Sequence, residues 1–331
     1  MRIPGLKRLK LWARWLRGRL VGGALILGYH RIADAPWDPY QVCVTPQRFA
    51  EQLEALRRHA RPIRLQDLVR GLQRGSLPRR AVAITFDDGY ADTLYQAKPL
   101  LERYQIPATV FVTTGYLGRE CWWDELEEMI RASATLPDRL FLAIDSDIYQ
   151  WTADGASRRT MSPAASRARD SLLQSLYRRL RPLSSAERER VMAQLRSQVG
   201  AESVNQCRSR VVTPDELVRL ADDGLVEIGA HTVTHALLAE LPAETQQQEI
   251  QNSKACLEEI LGQPVTSFSY PNGSLSTETP TIVQNSGYHC ACASHNDLVR
   301  RRSNRFHLPR FWIQDWDGAT YARWLQRWLP G

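Results

Sequence analysis

The stretch that most constrains this chain is AVAITFDDGY, residues 81–90. Its first six residues are almost all apolar and follow a turn rich in Pro and Arg, which predicts a short strand buried on both faces. Asp87 and Asp88 close this strand, and Gly89 allows the backbone to turn sharply after them. Two adjacent carboxylates at the end of a buried strand conflict with the local hydrophobic pattern. Such conflicts are expected at functional sites.

A second polar group follows another apolar segment, 225–230. His231 and His235 are four residues apart in HTVTH. They share one face if the segment is helical, and a turn could also bring them to one ion. Alone, the aspartates are better explained by a solvated turn, and the histidines fit a structural and a functional role equally well. Together, at the trailing ends of two buried strands, they predict an ion site with two imidazoles and one carboxylate.

Strand and helix patterns alternate over most of the chain. Apolar runs at Leu25–Tyr29, Ala81–Phe86 and Ala108–Thr113 predict strands, and the segments between them have helical periodicity. This alternation predicts a parallel sheet, and polar groups at successive carboxyl ends predict a barrel with its site on that rim. We expect an α/β fold whose barrel spans 23–121 and 213–317.

The alternation breaks between residues 122 and 212, which is too long for a bare loop. The pattern there is mainly helical, with a hairpin around Asp145-Ser146-Asp147. We predict a mainly helical insertion at 122–212 that flanks or covers the site. A C-terminal helix is expected over 318–331.

The first 19 residues carry seven of the 43 Lys and Arg residues and no acidic residue, so the remaining positive charges equal the 36 Asp and Glu. Leu and Trp recur among these basic residues, which predicts a basic amphipathic helix over 1–22. Such a helix could lie on an anionic membrane surface, or its apolar side could pack on the body. No cleavable signal or membrane-spanning helix is evident, so we expect a cytoplasmic protein, with the inner membrane surface as an alternative location.

The motifs resemble those of the polysaccharide deacetylases, also called the NodB-homology domain or carbohydrate esterase family four. TFDDGY and HTVTH are similar to the first two motifs of that family. Further matches cover about residues 25–317 apart from the insertion: Tyr29-His30-Arg31, Pro107–Val112, Ser269–Gly273 and Leu308-Pro309-Arg310. The resemblance implies a distorted (β/α) barrel of about seven strands.

The resemblance also implies roles for individual residues. Asp88, His231 and His235 would bind a divalent ion, with zinc expected and cobalt, nickel or manganese as alternatives. Asp87 would be the general base. The backbone near Tyr270 and Pro271 would donate an N–H to the oxyanion.

The sequence departs from better-known members in two places. Many have an arginine in the third motif that holds the base, and SYPNG has none. Arg310 is our candidate substitute, with a surface ion pair as the alternative. The late histidine that serves many members as general acid has no match. His30, His295 and His307 remain, and His30 is best placed because it follows a predicted barrel strand.

These observations favour a metal-dependent hydrolase that removes N-acetyl groups, or less favourably O-acetyl groups, from an amino-sugar polysaccharide or a lipid-linked saccharide. Trp123 could stack on a sugar ring, or it could anchor the insertion. One alternative is a hydrolase of a non-sugar amide. Another is a non-catalytic saccharide-binding or assembly protein of polysaccharide biosynthesis. No nucleic-acid partner is expected, because the body is near neutral and carries no reading motif.

Overall fold

The structure, a computed structural model, describes residues 23–35, 37–132, 136–145, 147–152, 163–200 and 209–329. The predicted helix over 1–22 lies outside these ranges. None of the helices within them is both long enough and apolar enough to cross a bilayer. The described chain forms two compact units, residues 118–210 and the remainder.

The strands follow one another as β1 (Leu25–Tyr29), β2 (Arg31–Ile32), β3 (Cys43–Val44), β4 (Arg61–Pro62), β5 (Ala81–Phe86), β6 (Ala108–Val112), β7 (Arg139–Ile144), β8 (Asp147–Thr152), β9 (Val226–Ala230), β10 (Ser267–Ser269), β11 (Cys290–Cys292) and β12 (Phe311–Trp312). The helices are α1 (Pro46–His59), α2 (Leu65–Gln73), α3 (Lys98–Tyr104), α4 (Trp122–Ala132), α5 (Pro163–Leu180), α6 (Ser185–Val199), α7 (Pro214–Ala221), α8 (Ala243–Leu261), α9 (Thr279–Asn285) and α10 (Gly318–Trp328).

The larger unit is built on a curled parallel sheet with strand order β11-β10-β9-β6-β5-β1-β12, and β4 pairs with the start of β5. All neighbouring strands of this path are parallel. The sheet confirms the predicted α/β fold, a distorted (β/α) barrel of about seven strands. Every residue of β1, β5 and β6 is buried, as expected for strands covered on both faces.

The last barrel strand, β12, is only 2 residues long. Leu308 pairs with Cys292 of β11, whereas Phe311 and Trp312 pair with β1. The segment therefore changes partner partway, next to Pro309, which has no N–H to give to a ladder. This single segment connects β11, at one edge of the sheet, with β1, next to the other edge.

Residues 118–210 form the smaller unit, which contains α4, α5, α6 and the β7–β8 hairpin. The hairpin is antiparallel, as predicted, and pairs Ile144 with Asp147 beside its turn. Side chains of Gln194 and Gln198 on α6 accept from the N–H groups of Ala143 and Phe141. These bonds satisfy the outer edge of β7, which would otherwise present unpaired backbone groups.

Candidate active site

The polar residues singled out from the sequence follow barrel strands at one rim. Because neighbouring strands are parallel, their carboxyl ends lie on the same side of the sheet. Asp87 follows β5, His231 follows β9, Tyr270 follows β10 and His30 follows β1. Arg310 lies on the segment that enters β12. The fold therefore brings residues distant in sequence to one place.

The two aspartates are separated by a sharp backbone turn. Asp88 and Gly89 have φ of 70° and 79°, in the left-handed region. A Cβ at residue 89 would lie 3.0 Å from both Cγ atoms of Val112, so glycine suits this position in shape as well as in backbone freedom. The N–H of Asp87 donates to the carbonyl of Tyr29 at 3.0 Å. The turn thus allows adjacent carboxylates to occupy different surroundings.

HTVTH forms a turn, so of the two geometries left open by its spacing the helical one is wrong. Thr232 has φ of 64° and His235 has φ of 57°, and a left-handed β-branched residue is strained. Glu249 on α8 holds the turn, because one oxygen accepts from the N–H groups of Val233 and Thr234 at 2.8 and 2.9 Å. The other accepts from the Thr234 hydroxyl at 2.8 Å.

The three predicted ion ligands, Asp88, His231 and His235, lie together. Their ligand atoms are all within 4.8 Å of one another. Asp88 Oδ1 is 3.6 Å from His231 Nε2 and 3.4 Å from His235 Nε2. Two atoms bound to zinc at about 2.0–2.1 Å and at a tetrahedral angle lie about 3.3–3.4 Å apart. The donor set and its spacing therefore fit a divalent ion of this kind. We call these residues the ion cluster.

The backbone of Ser269 orients His231. His231 Nδ1 lies 2.7 Å from the carbonyl oxygen of Ser269, which requires the ring to carry its proton on Nδ1. Nε2 then remains the acceptor that faces Asp88. Burial lowers the pKa of His231, although Asp87 raises it, so the ring is neutral near pH 7. A neutral imidazole with a hydrogen-bonded second nitrogen is the usual state of a metal ligand.

Arg310 contacts Asp87 as a bidentate partner. Its Nη1 donates to Asp87 Oδ1 at 2.6 Å and its Nη2 to Oδ2 at 2.8 Å. The remaining N–H groups donate to the carbonyl of Ala293, the hydroxyl of Thr85 and the hydroxyl of Ser269. All five donors of this fully buried guanidinium are thereby used. We call Asp87, Arg310, Thr85 and Ser269 the base cluster.

The charge of Asp87 is balanced within the protein. Burial raises its pKa, but the attraction of Arg310 and His231 and the hydrogen bonds from Arg310 outweigh burial and leave the pKa well below its usual range. Asp87 is consequently ionised at neutral pH and oriented by Arg310. The predicted alternative of a surface ion pair for Arg310 is wrong, because the side chain is fully buried.

His30 lies close enough to these groups to interact with them electrostatically. Burial, together with the smaller effect of Arg310, lowers the pKa of His30 to about 4 against the opposing effect of Asp87. The ring stacks on Trp312 with 4.5 Å between ring centroids and 17° between planes. His30 is therefore neutral near pH 7 in the free protein.

The oxyanion role expected for the backbone around Tyr270 is not supported at Tyr270 itself. Its N–H already donates to the carbonyl of Cys292 at 3.1 Å, as part of the pairing between β10 and β11. Its hydroxyl donates to the carbonyl of Phe306 at 2.8 Å. Pro271 has no N–H and begins a tight turn in which Asn272 has φ of 53°. Both residues shape the rim next to Ser269.

Trp123 belongs to the smaller unit, where its ring makes an edge contact with Trp122 at 5.6 Å between centroids. Its substrate role stays a prediction.

Sequence reasoning missed several polar and aromatic residues that contact the site residues. Thr85 was signalled as a hydroxyl inside an apolar strand, and Ser269 lay within the third motif. Nothing in the local sequence marked the other two, Glu249 and Trp312.

Comparison with known proteins agrees with this geometry. The sequence model described as Polysaccharide deacetylase matches residues 74–136 and 189–291, which is half of the chain. A poly-beta-1,6-N-acetyl-D-glucosamine N-deacetylase of Staphylococcus aureus strain MSSA476 is 33% identical over 111 residues, 29% of this chain. The match spans only 38% of that relative's length.

Two solved structures share the fold over 92% of this chain at 18% sequence identity. The Streptococcus pyogenes deacetylase PplD in complex with acetate has a TM-score of 0.59 and is covered over 98% of its length. IcaB from Ammonifex degensii has a TM-score of 0.57 and is covered over 97%. Together with the family match and the motifs at the barrel rim, this similarity leads to one conclusion: the chain belongs to the polysaccharide deacetylase family.

Proposed function

We propose that this protein is a metal-dependent hydrolase that removes N-acetyl groups from an amino-sugar saccharide. The observation that carries the proposal is the bidentate pair of Asp87 and Arg310 beside the ion cluster. One aspartate is held by the protein as an ionised acceptor, and its neighbour faces two imidazoles. This division of labour is what hydrolysis by an activated water requires.

Asp88, His231 and His235 would hold the ion, for which zinc is our first choice and cobalt, nickel or manganese are alternatives. When bound, such an ion lowers the pKa of water and polarises a carbonyl oxygen. Asp87 accepts the proton of the attacking water. Because the pKa of Asp87 is lowered, it is a weak base on its own, and it is matched to a water whose acidity has been increased.

His30 is the proposed donor to the leaving nitrogen. With a pKa of about 4 in the free protein, the ring does not hold this proton beforehand. It must therefore acquire the proton during the reaction, after the attacking water has released one. His30→Ala tests the role, since loss of the donor should slow an amide more than an ester, whose alcohol needs less protonation to leave.

The matched relative's name supports a polymer of N-acetylglucosamine as the substrate class. A lipid-linked saccharide, an O-acetyl ester and a non-sugar amide are alternatives. We also propose a location at the cytoplasmic face of a membrane, supported by the seven Lys and Arg among the first 19 residues. Binding of the full chain to anionic vesicles would test that location.

Acetate release from N-acetylated oligosaccharides, with and without a chelator, tests the function. We expect release that stops when the ion is chelated and returns when zinc is added. Asp87→Asn is the matched control, because it should retain the ion yet lose about two to four orders of magnitude in rate. Binding of the oligosaccharides without acetate release would favour the saccharide-binding alternative and overturn the proposal. Near-normal turnover of Asp87→Asn would remove this residue as the base.

A further inference from the structure

Trp312 contacts His30 and Arg310, two residues with proposed roles in the reaction, but has no proposed role itself. Its ring stacks on that of His30, with centroids 4.5 Å apart and planes at 17°. The guanidinium carbon of Arg310 lies 4.7 Å from the centroid of the same indole. Trp312 is therefore in contact both with the residue that holds the base and with the proposed proton donor.

The indole has this position because β1 carries a glycine beside it. Gly28 pairs with Trp312 in the parallel register of β1 and β12, and the N–H of Ile313 donates to the carbonyl of Gly28 at 3.0 Å. A Cβ at residue 28 would lie 2.7 Å from both Cε3 and Cζ3 of Trp312. Any side chain there would displace the ring. The other residues of β1 are large and apolar, so the glycine provides the space for the indole.

Arg310 and His30, the two residues in contact with Trp312, differ in whether other contacts hold them in place. Arg310 is held by hydrogen bonds from all five of its donors and is fixed without the indole. The ring of His30 makes no hydrogen bond within the part of the chain that the structure describes. Stacking on Trp312 is therefore the contact that sets its orientation relative to Asp87 and Arg310.

We propose that Trp312, seated on Gly28, is a positioning residue that holds the His30 ring against the base cluster. This inference rests on the proposed function for its consequence in catalysis, although its structural part stands alone. Stacking on the flat indole restricts the orientation of the His30 ring. Without the flat indole the ring gains freedom, and fewer encounters place it at the leaving nitrogen.

Three substitutions test the proposal by kinetics. Trp312→Leu keeps apolar bulk but removes the flat face, Trp312→Phe keeps a smaller face, and Gly28→Ala displaces the indole without altering it. We expect Trp312→Leu and Gly28→Ala to lower kcat about 10- to 100-fold with little change in KM. A general acid that is no longer correctly oriented loses part of the rate enhancement that it supplies. Trp312→Phe should recover most of the rate. Trp324→Leu is the matched control, because Trp324 packs on Phe311 and Tyr321.

Two further tests, a double variant with His30→Ala and an NMR measurement, distinguish a positioning role from a general loss of structure. In His30→Ala, adding Trp312→Leu should change kcat little, because the ring that Trp312 orients is gone. Undiminished kcat in both Trp312→Leu and Gly28→Ala would overturn the proposal, as would full additivity with His30→Ala. NMR of the His30 ring protons gives a readout that needs no turnover. Nuclear Overhauser contacts from these protons to neighbouring residues other than Trp312 should weaken in both variants, because the orientation of the ring is no longer restricted.

The NMR measurement also distinguishes failure of this inference from failure of the proposed function. If the wild-type protein releases no acetate but the Overhauser contacts of His30 weaken in both variants, the function fails and the positioning role stands. If acetate is released and the Overhauser contacts of His30 are unchanged in both variants, the positioning role fails and the function stands.

Discussion

The base cluster contains Asp87 and the ion cluster contains its neighbour Asp88, yet the charges of these two carboxylates are balanced in opposite ways. Asp87 has a buried arginine bound to both of its carboxylate oxygens. Asp88 instead faces His231 and His235 across 3.6 and 3.4 Å. His231 is neutral because burial lowers its pKa. The base cluster is therefore neutralised by the protein itself, whereas the donor set of the ion cluster is suited to a cation.

Because the two clusters balance their charges separately, they should also fail separately. A change in the ion cluster should alter metal content and leave the pair of Asp87 and Arg310 intact. A change in the base cluster should alter stability and rate while metal stays bound. Ser269 contacts both clusters, through its hydroxyl on one side and its carbonyl on the other. His231 Nε2 also lies 3.7 Å from Asp87 Oδ2.

The largest effect is expected from Asp88→Ala or His235→Ala. Either change removes one of three ligands, so bound metal in the purified protein should fall to background and hydrolysis with it. Metal analysis of the two variants beside Asp87→Asn, which should keep its ion, makes the comparison direct. Full metal occupancy in Asp88→Ala would show that the ion cluster is assigned to the wrong residues.

Arg310→Met should have the next largest effect, on stability. Removing one partner of a buried ion pair costs about 3–5 kcal/mol, because the other charge is left unpaired in the interior. Denaturant unfolding of wild type and variant measures this difference. Adding Asp87→Asn to Arg310→Met should restore part of the loss, because the stranded charge is gone. No recovery in the double variant would argue against a charge-based cause.

The pH dependence of stability should reverse in the same variant. In the wild type the pKa of Asp87 is lowered, so its contribution is full above the unfolded value of about 4 and declines as pH falls below it. Without Arg310, burial dominates and the pKa rises above that value. The variant should then lose stability as pH rises past about 4. Equal slopes in the two proteins would contradict this account.

Much of this arrangement was predictable because it follows local pattern. Ala81–Phe86 has the pattern of a buried strand and forms one. The aspartates and histidines stand out as polar groups after apolar runs. Arg310 was reached only through the absence of an arginine in the third motif, which the family resemblance made noticeable.

What the sequence did not predict depends on register between distant strands. Trp312 stands beside Gly28 only because β1 and β12 pair at that position. The helical pattern of α8 does not reveal that Glu249 faces the His231–His235 turn. The backbone of Tyr270 was expected to be available, but the pairing of β10 with β11 occupies its N–H. No local propensity encodes contacts of this kind.

A smaller effect, limited to the ion cluster, is expected from Glu249→Ala. It deletes three hydrogen bonds to a turn that contains two left-handed residues, Thr232 and His235. Loss of such support around ligands typically weakens metal affinity about 10- to 100-fold. Competition with a metal chelator measures the change, and Gln248→Ala, an exposed position of the same helix, is the control. Unchanged affinity would mean that the turn is held by its other contacts.

The smallest effect is expected from Ser269→Ala, and it should fall on one cluster only. The change removes the hydroxyl that accepts from Arg310 at 2.8 Å and donates to Asp87 at 3.2 Å, but it keeps the carbonyl that orients His231. We expect a loss of about 1–3 kcal/mol in unfolding free energy, with metal affinity unchanged. Ser267→Ala, two residues earlier on β10, provides the matched loss of a buried hydroxyl.

If Ser269→Ala weakened metal binding as well, the two clusters would be coupled through more than the backbone of this residue. The hydroxyl would then be transmitting the position of Asp87 to the ligands, and the separation drawn between the clusters would not hold. Metal affinity equal to that of Ser267→Ala, with a larger loss of stability, is the result that keeps them apart. Because the backbone carbonyl is retained in both variants, this pair of measurements isolates the contribution of a single oxygen to each cluster.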